Sequence, residues 1–92
     1  MERYMIVKWK QGNDSLKLYE KTKKLFEEAT KIEGVRKADV FISSSKLKER
    51  YDMMIRIRMK KDALNDLERS ELMKKWNAEF KDAIEKLTVF DS

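Results

Sequence analysis

The chain has no cysteine and no histidine, and only two glycines among its 92 residues. Without cysteine there is no disulfide frame, no thiolate nucleophile and no zinc–thiolate site. Without histidine the usual acid–base group at neutral pH is missing, and so is the commonest metal ligand. The glycines, Gly12 and Gly34, stand too far apart for a glycine-rich phosphate loop. No apolar run approaches the roughly 20 residues of a membrane span, and no signal-peptide pattern opens the chain. These absences point to a cytoplasmic protein with no membrane segment, no metal and no cofactor, and they lean against catalysis.

What is present is charge. Lys and Arg number 22 against 17 Asp and Glu, a net charge of +5. The basic surplus lies in residues 35–61, with nine basic and three acidic side chains, while residues 62–92 hold five basic and eight acidic. A dipolar chain of this kind is either an ordinary mixed-charge surface or a binder of anions and acidic partners. The wealth of Lys and Glu beside missing Cys and His follows the thermophile trend. The length predicts one domain, residues 1–92, with a modest core that a second subunit would supplement.

The hydrophobic pattern predicts the order β-α-β-β-α-β. Tyr4 to Lys10 reads as a strand, with Met5, Val7 and Trp9 on one face and Tyr4, Ile6 and Lys8 on the other. Residues 11–15 form a turn that offers Asn13 or Asp14 as helix N-cap. A helix to about Glu33 follows, with Leu18, Thr22, Leu25, Phe26, Ala29 and Ile32 inward, ended by Gly34. Val35 to Ser43 is the second strand: Ala38, Val40 and Ile42 share one face, Asp39, Phe41 and Ser43 the other. Residues 43–50 make a polar connection too long for a tight hairpin. Tyr51 to Met59 alternates Tyr51, Met53, Ile55, Ile57 and Met59 with Asp52, Met54, Arg56 and Arg58. A short helical turn over 62–69 leads to a long helix from Ser70. Its stripe of Leu72, Met73, Trp76, Phe80, Ala83, Ile84 and Leu87 passes directly into a terminal strand, Thr88 to Asp91.

These elements assemble as α+β, a ferredoxin-like four-stranded antiparallel sheet with its helices on one face. The opposite face carries Tyr4, Ile6, Phe41 and Met54 among Arg56, Arg58 and other charges. Four sizeable apolar residues exceed what an open sheet face needs, so these six are candidates for a homodimer face. Arg56 and Arg58 also suit an anion, unless they pair with Asp39 or Asp52. Trp76 and Phe80, with Met73, Phe26 and Ile55, either wall a ligand pocket or pack as plain core.

The whole chain resembles the stress-responsive dimeric α+β barrel family. The similarity rests on Tyr4-Met5-Ile6-Val7-Lys8-Trp9-Lys10, Gly34-Val35, Tyr51-Asp52-Met53-Met54-Ile55 and the close Ile84-Glu85-Lys86-Leu87-Thr88-Val89-Phe90-Asp91. It implies two sheets packed face to face into an eight-stranded dimeric α+β barrel. It also implies, as in some members, a pocket between sheet and helices, here Met5, Val7, Phe26, Tyr51, Ile55, Met73, Trp76 and Phe80, for a small apolar or aromatic ligand. Many members carry a histidine–proline–x–histidine segment before the long helix; here it reads Ser70-Glu71-Leu72-Met73. In the family's plant polyketide cyclases the second of those histidines is the base, aided by an earlier tyrosine. The matching positions are Met73 and Leu67, which move no proton. Haem chemistry through a histidine ligand is equally excluded. Tyr51 is the remaining candidate acid or base, expected at a strand end on the helix-facing side.

The sequence thus supports a homodimeric barrel protein that binds a small apolar molecule without the cyclase histidine. The alternative is a non-catalytic structural or regulatory interaction subunit. An RNA-binding module is a lesser alternative, since strand 51–59 offers no stacking aromatic on the face away from the helices.

Overall fold

The computed structural model describes residues 1–45, 47 and 50–92. Four strands, β1 (Glu2–Trp9), β2 (Val35–Ile42), β3 (Met53–Met59) and β4 (Ile84–Asp91), form one antiparallel sheet in the order β2-β3-β1-β4. Three α-helices, α1 (Ser15–Phe26), α2 (Leu64–Arg69) and α3 (Glu71–Phe80), complete the ferredoxin-like α+β fold. Among the described residues, no helix is long and apolar enough to cross a membrane. Of the polar connection predicted over 43–50, Lys46, Lys48 and Glu49 lie outside the described residues.

Strand period sets which face is buried. Met5, Val7 and Trp9 of β1 and Met53, Ile55, Ile57 and Met59 of β3 are buried under the helices. The register pairs Met5 with Ile55 and Val7 with Met53, so both inner strands present one apolar face. The helices close this core with Phe26, Leu67, Leu72, Trp76 and Phe80. Asp14 caps α1, its Oδ1 accepting from the Leu16 and Lys17 backbone N–H groups at 3.1 and 3.2 Å. Thr22 is buried on α1 because its hydroxyl donates to the Leu18 carbonyl at 2.7 Å, leaving no open polar group. Ser70 ends α2 and caps α3: its Oγ donates to the Leu67 carbonyl and accepts from the Met73 N–H at 3.2 Å.

Two helix ends differ from the expectation. The first α-helix stops at Phe26, and residues 27–31 tighten into a 3-10 turn before β2. That tightening still turns Ala29 into the core. The last helix stops at Phe80 rather than Leu87, and a 3-10 turn over 81–83 separates it from β4. Ile84 and Leu87 continue the helical spacing from Phe80, but they are strand residues. The ladder explains this. β4 pairs with β1 from Trp9–Ile84 to Arg3–Asp91, and Lys10 N–H donates to the Ala83 carbonyl at 2.7 Å. Satisfying the whole edge of β1 takes eight residues, so the chain leaves the helix early. A shift of register between Lys8 and Trp9 accommodates the entry.

Arg3 clasps the far end of the sheet. Its guanidinium meets both Asp91 oxygens at 2.7 and 2.8 Å and reaches Glu68 of α2 at 3.3 Å. The Arg3 hydrogen bonds hold the Asp91 carboxyl below the usual range.

Gly34 occupies the left-handed region, with φ at 85°, where the chain enters β2. A Cβ there would stand 2.8 Å from the Ala63 Cβ. Gly12 has a similar φ of 92° but open space around it. Gly34→Ala therefore suffers backbone strain and a clash, and Gly12→Ala only the strain. We expect Gly34→Ala to cost about 2–3 kcal/mol and Gly12→Ala about 1. Urea unfolding of both variants measures the difference; equal losses would mean that the Ala63 contact yields freely.

Candidate functional site

The space between sheet and helices is filled. Trp9, Phe26, Trp76 and Phe80 form one aromatic cluster. Trp76 stacks on Phe80 with centroids 4.6 Å apart and receives Phe26 edge-on at 5.6 Å. Trp9 approaches both at 6.0–6.4 Å. Six of the eight pocket residues named from sequence, Met5, Val7, Phe26, Ile55, Trp76 and Phe80, are buried in this core. Met73 is half-buried at its margin. The Trp9 indole N–H is buried without a hydrogen-bond partner among the described residues.

Tyr51 is not with them, which corrects the expected helix-facing placement. Its hydroxyl lies 2.8 Å from the Thr88 hydroxyl, and Lys86 Nζ stands 5.8 Å from its ring centroid. Thr88 pairs with Ile6 and Lys86 with Lys8, residues of the face away from the helices. The alternation was extended two residues too far. β3 begins at Met53, and at Asp52 the pairing with β1 slips out of register: the Asp52 backbone N–H donates to the Val7 carbonyl at 2.8 Å, while its carboxylate accepts the Trp9 backbone N–H at 2.8 Å. The pleat then no longer dictates where Tyr51 points. The Thr88 hydrogen bond lowers the Tyr51 phenol below its ordinary value, with Lys86 acting in the same sense.

The face away from the helices is the candidate site. It gathers the six residues named for a dimer face. Tyr4 pairs with Arg56, Ile6 with Met54, and Phe41 with Met54. Phe90, not anticipated, joins Tyr4 at 6.3 Å between ring centroids and is 59% exposed. The charges pair within the subunit. Arg56 donates to Asp39 at 2.9 Å and lies over the Phe41 ring at 5.2 Å. Arg58 meets Glu2 at 3.2 Å, and the Tyr4 hydroxyl donates to Glu2. Arg56 thus takes Asp39, one of the partners expected for it, while Arg58 takes Glu2 instead of Asp39 or Asp52. The Arg56 hydrogen bond holds Asp39 below the usual carboxylate range. The Tyr4 hydrogen bond does the same for Glu2 and raises the Tyr4 phenol. Arg56 Nε is buried without a hydrogen-bond partner among the described residues.

Depressions among the described residues include these. One of about 450 Å³ lies at the sheet end between the turn at Gly12 and Asp52. Another, of about 760 Å³, lies between charged side chains of α1 and α3. The third, of about 200 Å³, is on the open sheet face against Ile6, Phe41, Tyr51 and Met54. The sequence pointed to that face through period-two alternation in β1 and β3. It missed Lys86, Thr88 and Phe90, whose own alternation carried the signal once Thr88 is placed opposite Ile6.

No family model matches the sequence, and no curated protein matches it. Solved structures match in fold. A dimeric ferredoxin-like protein of unknown function from Bacteroides fragilis superposes with a TM-score of 0.83 at 14% identity, covering 99% of this chain and 92% of its own. A dimeric ferredoxin-like protein of unknown function from Thermobifida fusca gives 0.81 at 8%, covering 97% and 85%. The hydroxynitrile lyase of Passiflora edulis gives 0.73 at 10%, covering 97% and 87%. The chain is therefore similar to ferredoxin-like proteins across nearly its whole length, and at these identities the likeness is one of fold.

Proposed function

We propose that the protein is a homodimeric, non-catalytic interaction subunit whose two open sheet faces meet across a two-fold axis in an eight-stranded α+β barrel. The observation that carries this is the open face itself. Ile6, Phe41, Met54, Tyr4 and Phe90 lie exposed or half-exposed there, while the charges beside them are already paired within one chain. Apolar surface gains from being covered, and prepaired charges lower the cost of covering it. Two of the similar structures, from Bacteroides fragilis and Thermobifida fusca, are dimeric.

The reading as a binder of a small apolar or aromatic molecule between sheet and helices is less well supported. The chain's own four aromatic rings occupy that space. The positions that the resemblance equates with the cyclase base and its tyrosine hold Met73 and the fully buried Leu67, and neither moves a proton. The hydroxynitrile lyase shares the fold, but fold alone carries no chemistry.

Sedimentation equilibrium at micromolar concentration tests the assembly. The expected mass is twice the 11.1 kDa subunit, with roughly 800 Å² or more buried per partner. A single species at the subunit mass overturns the proposal.

A further inference from the structure

Two rows of apolar side chains cross the helix-facing side of the sheet from edge to edge. One runs Ile42, Met53, Val7, Leu87, and the other Val40, Ile55, Met5, Val89, each residue opposite the next in the strand register. The middles are closed: Met53, Val7, Ile55 and Met5 are at most 2% exposed. The ends are open, with Ile42 42%, Leu87 40% and Val89 47% exposed. On the opposite side of the sheet Phe41 and Phe90 are exposed as well. Apart from Leu16 and Leu47, every exposed large hydrophobic among the described residues thus belongs to β2 or β4. These are the two edge strands. Such an edge presents backbone N–H and C=O groups that a further strand can pair. β4 runs eight residues without a proline to blunt it.

Packing the open faces together covers Phe41 and Phe90 but leaves Ile42, Leu87 and Val89 in water. Joining edge to edge covers both sets and satisfies the outer backbone groups. We infer that β4 of one subunit adds antiparallel to β2 of a second copy, so that both seams of the barrel are hydrogen-bonded ladders. This rests on the proposed dimer and specifies which edges meet in it. A two-fold axis along the strands sets β4 of one sheet beside β2 of the other, and an axis across them sets β4 beside β4. Charge chooses between the two. β2 bears Arg36 and Lys37 against Asp39, whereas β4 bears Glu85 and Asp91 against Lys86. Unlike edges attract and like edges repel. β2 and β4 also run in opposite directions within one sheet, so the axis along the strands makes the new ladder antiparallel.

The absence of native cysteine makes cross-linking specific. Val89→Cys is combined in one chain with Ala38→Cys, Val40→Cys or Ile42→Cys, a series that scans the register, and oxidised with glutathione disulfide. Within one chain these positions lie at least three strand spacings apart, about 14 Å, well past the ~7 Å limit for a disulfide. At least one pair should give a covalent dimer as the main product, and Val89→Cys or Ile42→Cys alone should give far less. The wild type supplies a second measurement. β4 amides that point away from β1 should exchange with deuterium at least about tenfold more slowly than open backbone. Absence of cross-links across the series, efficient cross-linking of Val89→Cys alone, or free exchange of those amides in a dimeric sample overturns the inference and leaves the dimer standing. Sedimentation of the same samples separates the two failures, since monomers throughout overturn both.

Discussion

Trp76→Ala should destabilise the fold by about 3–5 kcal/mol, the range for removing a large aromatic from a core. Trp76 is 1% exposed, near the middle of α3. Its ring stacks on Phe80, takes the edge of Phe26 and meets Trp9 from the sheet. Removing it therefore unpacks α1, α3 and β1 from one another at one point. Collapse cannot fill the gap, because the surrounding groups are rings held by strand and helix backbones. Small domains have about 5–15 kcal/mol in total, and a domain this size shifts about 4–8 °C per kcal/mol. The loss would show as a thermal midpoint lowered by more than about 12 °C. Trp76→Phe keeps most of the contact and should cost clearly less. Leu16→Ala, at a site 56% exposed on α1, should change stability by less than about 0.5 kcal/mol. A Trp76→Ala midpoint close to that of Leu16→Ala would show that the aromatic cluster does not hold the layers together.

How much of this was legible beforehand varies element by element. β1 and β3 were plain, because central strands bury one face under helices and leave the other open, which imposes period two. Trp76 and Phe80 were plain for the same reason at period 3.6. The end of α3 was not. Ile84 and Leu87 keep the helical phase of Phe80, so spacing alone extends the helix. What decides otherwise is non-local: the unpaired edge of β1, against which residues 84–91 form a full ladder. β4 is also an edge strand, with Leu87 and Val89 left 40% and 47% exposed, so burial writes only a faint pattern into it. Tyr51 failed for a related reason. Strict alternation predicts its side, but alternation holds only within a regular strand, and that strand starts at Met53, with the pairing to β1 already out of register at Asp52. The site followed these errors. Lys86 and Thr88 sat inside a presumed helix and helix-to-strand junction, and Tyr51 was placed beneath the sheet, so their meeting on the open face was visible only after β4 had its register.

Met54→Asp should convert the proposed dimer to monomers while leaving the subunit folded. Met54 lies on inner strand β3, between Ile6 on one side and Phe41 on the other. It is half-buried within one chain, so the substitution removes some packing but creates no cavity in the helix-covered core. In the monomer a carboxylate there remains open to water. Across a two-fold interface it meets its own symmetry mate or an apolar surface, with Arg56 already held by Asp39 at 2.9 Å. An uncompensated charge at the centre of such a contact costs several kcal/mol per subunit, more than most dimers of this size can absorb. Met54→Leu, of like volume and polarity, should remain dimeric. The two outcomes separate in sedimentation, and circular dichroism confirms that the monomer keeps its sheet and helices. A Met54→Asp variant that stays dimeric at micromolar concentration would place the contact elsewhere, with the exposed apolar residues of β4, Leu87 and Val89, as the next surface to test.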